Sequence, residues 1–217
     1  MPKQNTSIKN ASQWMGRGDV IAFGGRCLTS KGIQLFTTSA VSHVGMVYTD
    51  HNNNQPLIVE STSMGPGKAG VKFRDLEEAL TDYPGRVWWL PLCDQADEQM
   101  DWAAWQKWTD AQVGKEYDFK QVFGVSLARI PFIGKYLVKQ DDFRQMFCSE
   151  LVAGAFEAGG LLPRHHDASH TTPEEICEFR VFDSVTQLRG TKKEIRGFSK
   201  RQVFYPELDK LPGRRVD

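Results

Sequence analysis

Ser42-His43-Val44-Gly45-Met46-Val47-Tyr48 and Leu57-Ile58-Val59-Glu60-Ser61 flank the Asn-rich stretch 50–56, and together they read as the two arms of a β-hairpin. Both arms are rich in β-branched and other apolar residues, and the Asn and Asp residues between them supply turn chemistry. The pairing has a chemical corollary. His43 begins one arm and Glu60 lies near the end of the other, so antiparallel pairing brings a carboxylate beside an imidazole. An unpaired acid closing the apolar run 57–59 would be costly, and His43 is the partner this arrangement predicts.

Working outward, Gly18-Asp19-Val20-Ile21-Ala22-Phe23 predicts a turn feeding a short buried strand closed by Gly24-Gly25. Downstream, a Gly/Pro-rich loop over 64–70 leads to a strand at 71–73, a short helix around 76–80 and a strong strand at 86–92. These strands complete a small antiparallel sheet. From 97 to 113 the pattern turns helical, with Met100, Ala104, Trp108 and Ala111 on one stripe and Gly114 as the stop. A later helix carries Phe147-Cys148-Ser149-Glu150-Leu151-Val152-Ala153-Gly154-Ala155-Phe156 and ends at Gly159-Gly160, and Thr172, Pro173 and Glu175 form a capping-box start for another. The class is α+β. One domain spans 1–217, with its core at about 18–160 and a C-terminal elaboration at 161–217.

Composition narrows the function. With 27 basic and 27 acidic residues in a chain of 217, no basic stripe marks a nucleic-acid partner and no charge run marks a disordered tail. Cys27, Cys93, Cys148 and Cys177 have no short-range pairing, which suits thiols in a reduced compartment and neither a disulfide framework nor a zinc ribbon. Residues 1–14 lack the pattern of a Sec signal. The apolar stretch 122–138 is broken by Arg129, Pro131 and Lys135, so it reads as a lid or packing insertion rather than an integral membrane segment.

Cys148 is placed by this reading in the opening turn of its helix. There, unpaired backbone N–H groups and the positive end of the dipole favour a reactive thiolate. A cysteine in such a place is also a good small core residue. What points to a nucleophile is the pair His43 and Glu60 upstream, because a thiol hydrolase needs an imidazole to exchange the proton and a polar third group to orient the ring.

Taken in order, Gly18-Asp19-Val20-Ile21, Ser42-His43-Val44-Gly45-Met46-Val47, Val59-Glu60-Ser61, Gly114-Lys115-Glu116-Tyr117-Asp118 and Phe147-Cys148-Ser149-Glu150-Leu151-Val152 resemble the circularly permuted branch of the NlpC/P60 papain-like superfamily, of the YiiX-like cysteine hydrolase type. Ordinary members run cysteine, histidine, polar residue; the permuted branch runs histidine, polar residue, cysteine, as here. The resemblance implies a permuted papain-like fold, with a small, partly barrel-like antiparallel sheet packed against helices. It also implies Cys148 as nucleophile, His43 as general base and acid, Glu60 as the orienting member, and the backbone N–H of Cys148 as an oxyanion donor. Tyr117 matches the family's aromatic, as a site-lining or hydroxyl-supplying residue, or else as a core tyrosine anchored by Asp118.

The activity so implied is hydrolysis of an amide through an acyl-enzyme, without a cofactor, on a stem peptide of the bacterial cell wall or another amide substrate. Two alternatives stand beside it: a lipid acyl-hydrolase or acyltransferase whose acyl groove is lined from 122–138, and a catalytically silent binding module. Without a Sec signal, the protein is expected to be cytoplasmic, or to be delivered by another secretion system to a target periplasm as an antibacterial effector. An effector would have an immunity protein as partner. No metal is predicted: His165, His166 and His170 read as a polar surface loop. Trp88, Trp89, Trp102, Trp105 and Trp108 read as core.

Overall fold

Six strands form one sheet in the computed structural model, which describes residues 8, 11–25, 40–49, 55–62, 69–115, 140–163, 168 and 171–200, with 140–147 as backbone alone. They are β1 (Val20–Gly24), β2 (His43–Thr49), β3 (Pro56–Thr62), β4 (Gly70–Asp75), β5 (Arg86–Leu90) and β6 (Thr186–Arg189). Their order is β4-β3-β2-β1-β5-β6, and every pairing is antiparallel. The hairpin β2–β3 pairs Met46 with Val59, Val47 with Ile58 and Tyr48 with Leu57. Among the described residues β4 and β6 are the two edges, so the sheet is open where a partly barrel-like one was expected. The helices are α1 (Leu76–Asp82), α2 (Asp94–Gln99), α3 (Trp102–Gln112), α4 (Gln140–Ala158) and α5 (Pro173–Glu178).

Strand alternation divides the core in two. Ile21, Phe23, Val47, Ile58 and Val87 face one way and pack with Leu76, Ala79 and Leu80 of α1. Val20, Ala22, Val44, Met46, Val59, Trp88 and Leu90 face the other way and pack with Leu151, Val152, Ala155 and Phe156 of α4. Because α3 and α5 also pack on α4, residues 151–156 are buried without a break, in place of an amphipathic stripe. Gly154 makes the α3 contact possible: a Cβ there would lie 2.5 Å from Cζ2 of Trp108. A Schellman motif ends α4, with Leu161 N–H donating to Phe156 C=O at 2.8 Å, Gly160 N–H to Glu157 C=O at 3.0 Å, and Gly160 at φ +82°.

Two expectations change. The helix read over 97–113 is two helices, broken at Met100 and Asp101, where the Asp101 carboxylate accepts from Ala104 N–H at 2.9 Å and caps α3. The inward stripe of α3 is accordingly Trp105 and Thr109, while Ala111 is exposed. Among the described residues beyond 160, Ile176, Cys177, Phe179, Val181 and Phe182 lie in the main core, and β6 extends the sheet. The capping box at Thr172 and Glu175 is present, with Pro173 in the first turn.

Asp19 explains the Gly-Asp ahead of β1. Its buried carboxylate accepts from Gly16 N–H at 2.9 Å, Trp89 Nε1–H at 2.7 Å and Leu92 N–H at 2.9 Å, tying the entry of β1 to the exit of β5. Burial pushes its carboxyl upward, and the three donors pull the other way without cancelling that push. Asp19→Ala orphans three donors, so we expect a loss of about 3 kcal/mol or more. In thermal melts, the midpoint should fall by about 6–12 °C.

Candidate active site

His43 and Glu60 meet across the hairpin. With Met46 opposite Val59, Glu60 falls beside Gly45, and His43 lies diagonally across from it on the same face, within reach of a long side chain. Gly45 leaves the room: a Cβ there would lie 3.1 Å from Cβ of Glu60 and 2.8 Å from Cδ1 of Ile58. Nε2 of His43 is 2.6 Å from Oε2 of Glu60. An ionised carboxylate only accepts, so Nε2 carries a proton and donates it to Glu60. The other ring nitrogen, Nδ1, remains for Cys148, whose side chain hydrogen-bonds the ring. Phe23, directly opposite His43 in β1, sets its ring against the imidazole with centroids 5.4 Å apart.

The third strand adds a residue that sequence reading missed. Nη1 of Arg74, in β4, donates to Oε1 of Glu60 at 2.8 Å. The only hint in the sequence is an arginine at alternating spacing in a short strand, which reads equally well as a solvated edge. Side-chain exposure is 17% for His43, 3% for Glu60 and 12% for Arg74, so this row of charges is shielded from water.

Electrostatics follow from that shielding. Burial works against a charged His43 ring, but the charge and hydrogen bond of Cys148, and then those of Glu60, outweigh it and the pKa is pushed up to about 10. Burial likewise works against a charged Glu60, and the bonds and charges of His43 and Arg74 outweigh it, holding this carboxyl below its ordinary range. Burial pushes the Cys177 thiol up, the nearby Glu174 and Glu178 adding to it. Cys93, Cys148 and Cys177 are thiols and not disulfides.

Cys148 itself is placed differently from expectation. Helix α4 begins at Gln140, more than two turns before Cys148, so the sulfur does not sit over a helix start. The pull of the dipole falls off within the first turn. In an unbroken helix the N–H of Cys148 is committed to the carbonyl four residues back, which removes it as an oxyanion donor. Glu150 likewise lies in mid-helix, lining a cleft of about 420 Å³ with Trp108, Gly154, Glu157, Ala158 and Ala168. Cys148 is fully buried in the core on the α4 side of the sheet, whereas strand alternation assigns His43 and Glu60 to the α1 side. His43 is the first residue of β2, and its ring interacts with Cys148 although strand alternation puts the two on opposite sides of the sheet.

Tyr117, Cys27, the stretch 122–138 and His165, His166 and His170 lie outside the described residues. Among the described residues, no group of three or more His, Cys, Asp or Glu side chains is placed to hold a metal ion, and no helix is long and apolar enough to cross a membrane.

No protein-family model matches the chain. It is similar to the protein named Probable lipoprotein peptidase YaeF of Escherichia coli (strain K12), with 25% identity over 214 residues, covering 86% of this chain and 72% of that one. Among solved structures it is similar to the metalloprotein YiiX of Escherichia coli O157:H7, with a TM-score of 0.41 and 25% identity over 67% of this chain and 66% of that one.

Proposed function

We propose that this protein is a cysteine hydrolase of the permuted papain-like type, cleaving an amide bond through a covalent acyl-enzyme. The observation that carries the reading is the His43 ring, bound at Nε2 by Glu60 and in hydrogen-bonding contact with Cys148. The peptidase name of its distant relative supports the same class.

In this reading one proton is shared between Sγ of Cys148 and Nδ1 of His43. Sγ attacks the carbonyl carbon as that proton rests on Nδ1, and collapse of the tetrahedral intermediate breaks the C–N bond while Nδ1 protonates the departing amine. Water then attacks the thioester, giving a proton to Nδ1, and the thiol is regenerated as the acid leaves. Glu60 holds the ring in the tautomer this cycle needs. The leading substrate class is a stem peptide of the bacterial cell wall.

The deciding experiment incubates purified muropeptides and, separately, phospholipids with the wild-type protein and reads the products by mass spectrometry. New peptide termini from muropeptides are expected. Fatty-acid release in their place would move the reading to lipid acyl-hydrolysis, and no product from either would favour a binding module.

A further inference from the structure

The register between β3 and β4 sets Ile58 opposite Arg74 and Glu60 opposite Lys72. Arg74 is therefore the diagonal neighbour of Glu60, on the same face of the sheet. The two carboxylate oxygens are divided between two donors, Oε2 to Nε2–H of His43 and Oε1 to Nη1–H of Arg74. We propose that Arg74 is a positioning residue of the hydrolytic site, holding the Glu60 carboxylate in the orientation that keeps the His43 ring turned toward Cys148. The inference rests on the catalytic reading of those residues given above.

The physical need for a second donor is specific. The terminal torsion of a glutamate is broad and roughly two-fold, so a carboxylate fixed by one hydrogen bond still swings about its last bond and carries the imidazole with it. A donor on the second oxygen removes that freedom. It also divides the negative charge, so the proton between ring and carboxylate stays on Nε2. Arginine suits the task because its guanidinium is permanently charged and planar, whereas a lysine is a point charge on a flexible stem. Lys72 stands directly opposite Glu60, yet the bond to Oε1 comes from Arg74.

The test follows the Glu60 side-chain carboxyl by ¹³C NMR across pH in the wild type, Arg74→Met and Arg74→Lys, with the signal assigned by its loss in Glu60→Gln and folding checked by circular dichroism. In Arg74→Met the midpoint is expected to move up by about 1 pH unit or more, the usual effect of a guanidinium on a neighbouring carboxyl. Arg74→Lys should give a smaller displacement. Cys148-dependent hydrolysis should fall about 10²-fold in Arg74→Met, the scale of a misplaced catalytic group, and recover in part in Arg74→Lys. An unmoved midpoint, or a moved midpoint with an unchanged rate, in folded Arg74→Met would overturn the assignment. Should Arg74→Met fail to fold, Arg74→Lys decides, and a midpoint and rate equal to wild type would overturn it. If the wild type shows no Cys148-dependent hydrolysis, the hydrolase reading fails, while the titration still reports whether Arg74 holds Glu60, so the two failures are told apart.

Discussion

Cys148→Ala should fold like the wild type and lose at least about 10⁴-fold in hydrolysis, because no other group in the proposed cycle forms the covalent bond. The substitution removes one sulfur from a fully buried position, about 1 kcal/mol in packing and transfer terms, and its hydrogen bond to His43, about 1 kcal/mol more, so the melting midpoint should fall by only about 4–8 °C. The covalent step gives a second readout. Under single-turnover conditions, intact-mass spectra of the wild type should show the acyl half of the substrate on the protein, and Cys148→Ala should show none. Cys177 provides an internal control, since its buried thiol is pushed upward, and Cys177→Ala should leave the adduct in place. Hydrolysis by Cys148→Ala at the wild-type rate would place the chemistry elsewhere in the molecule.

The parts of this site that were legible in the sequence are those governed by short-range pattern. The hairpin is one example: alternation in 42–48 and 57–61, with Asn between them, implies the pairing that brings His43 and Glu60 to 2.6 Å. The capping box at Thr172 and the stop at Gly159-Gly160 are equally local and are present as read. What was missed depends on tertiary context. The start of α4 is hard to read because the buried run around Cys148 is the conspicuous part of a helix that begins at the polar Gln140. The break at Asp101 was hidden because a cap in mid-pattern looks like any polar helical residue until its carboxylate is seen to accept from Ala104 N–H. Strand β6, Thr-Gln-Leu-Arg, is short and polar because it is an edge, and offers no apolar alternation to read. Arg74 belongs to the same class, since its meaning lies in a register between strands.

Glu60→Gln should cost about 10⁴-fold in rate, the scale seen when an orienting carboxylate is replaced by its amide, for a reason set by Arg74. The amide has one acceptor and one donor end. Nη1 of Arg74 can only donate, so it claims the amide oxygen and turns the NH₂ toward Nε2 of His43. Nε2 must then accept, the ring proton moves to Nδ1, and the nitrogen facing Cys148 can no longer take a proton. Releasing the amide should therefore rescue the ring. Glu60→Gln with Arg74→Met is expected to be about ten-fold faster than Glu60→Gln alone, the value of one neutral hydrogen bond regained in the correct sense, even though Arg74→Met alone is slow. A double variant no faster than Glu60→Gln would contradict this donor and acceptor assignment. Stability against pH checks the same charges. The lowered carboxyl of Glu60 contributes stability that is present above its ordinary value of 4.5 and lost as pH falls through its folded value. The raised imidazole of His43 contributes stability that is full below 6.5 and lost as pH rises through about 10. The difference in melting temperature between wild type and Glu60→Gln should thus be greatest between about 4.5 and 6.5 and shrink on both sides; a difference that is flat from acid to alkali would show that the buried row of charges does not couple to folding.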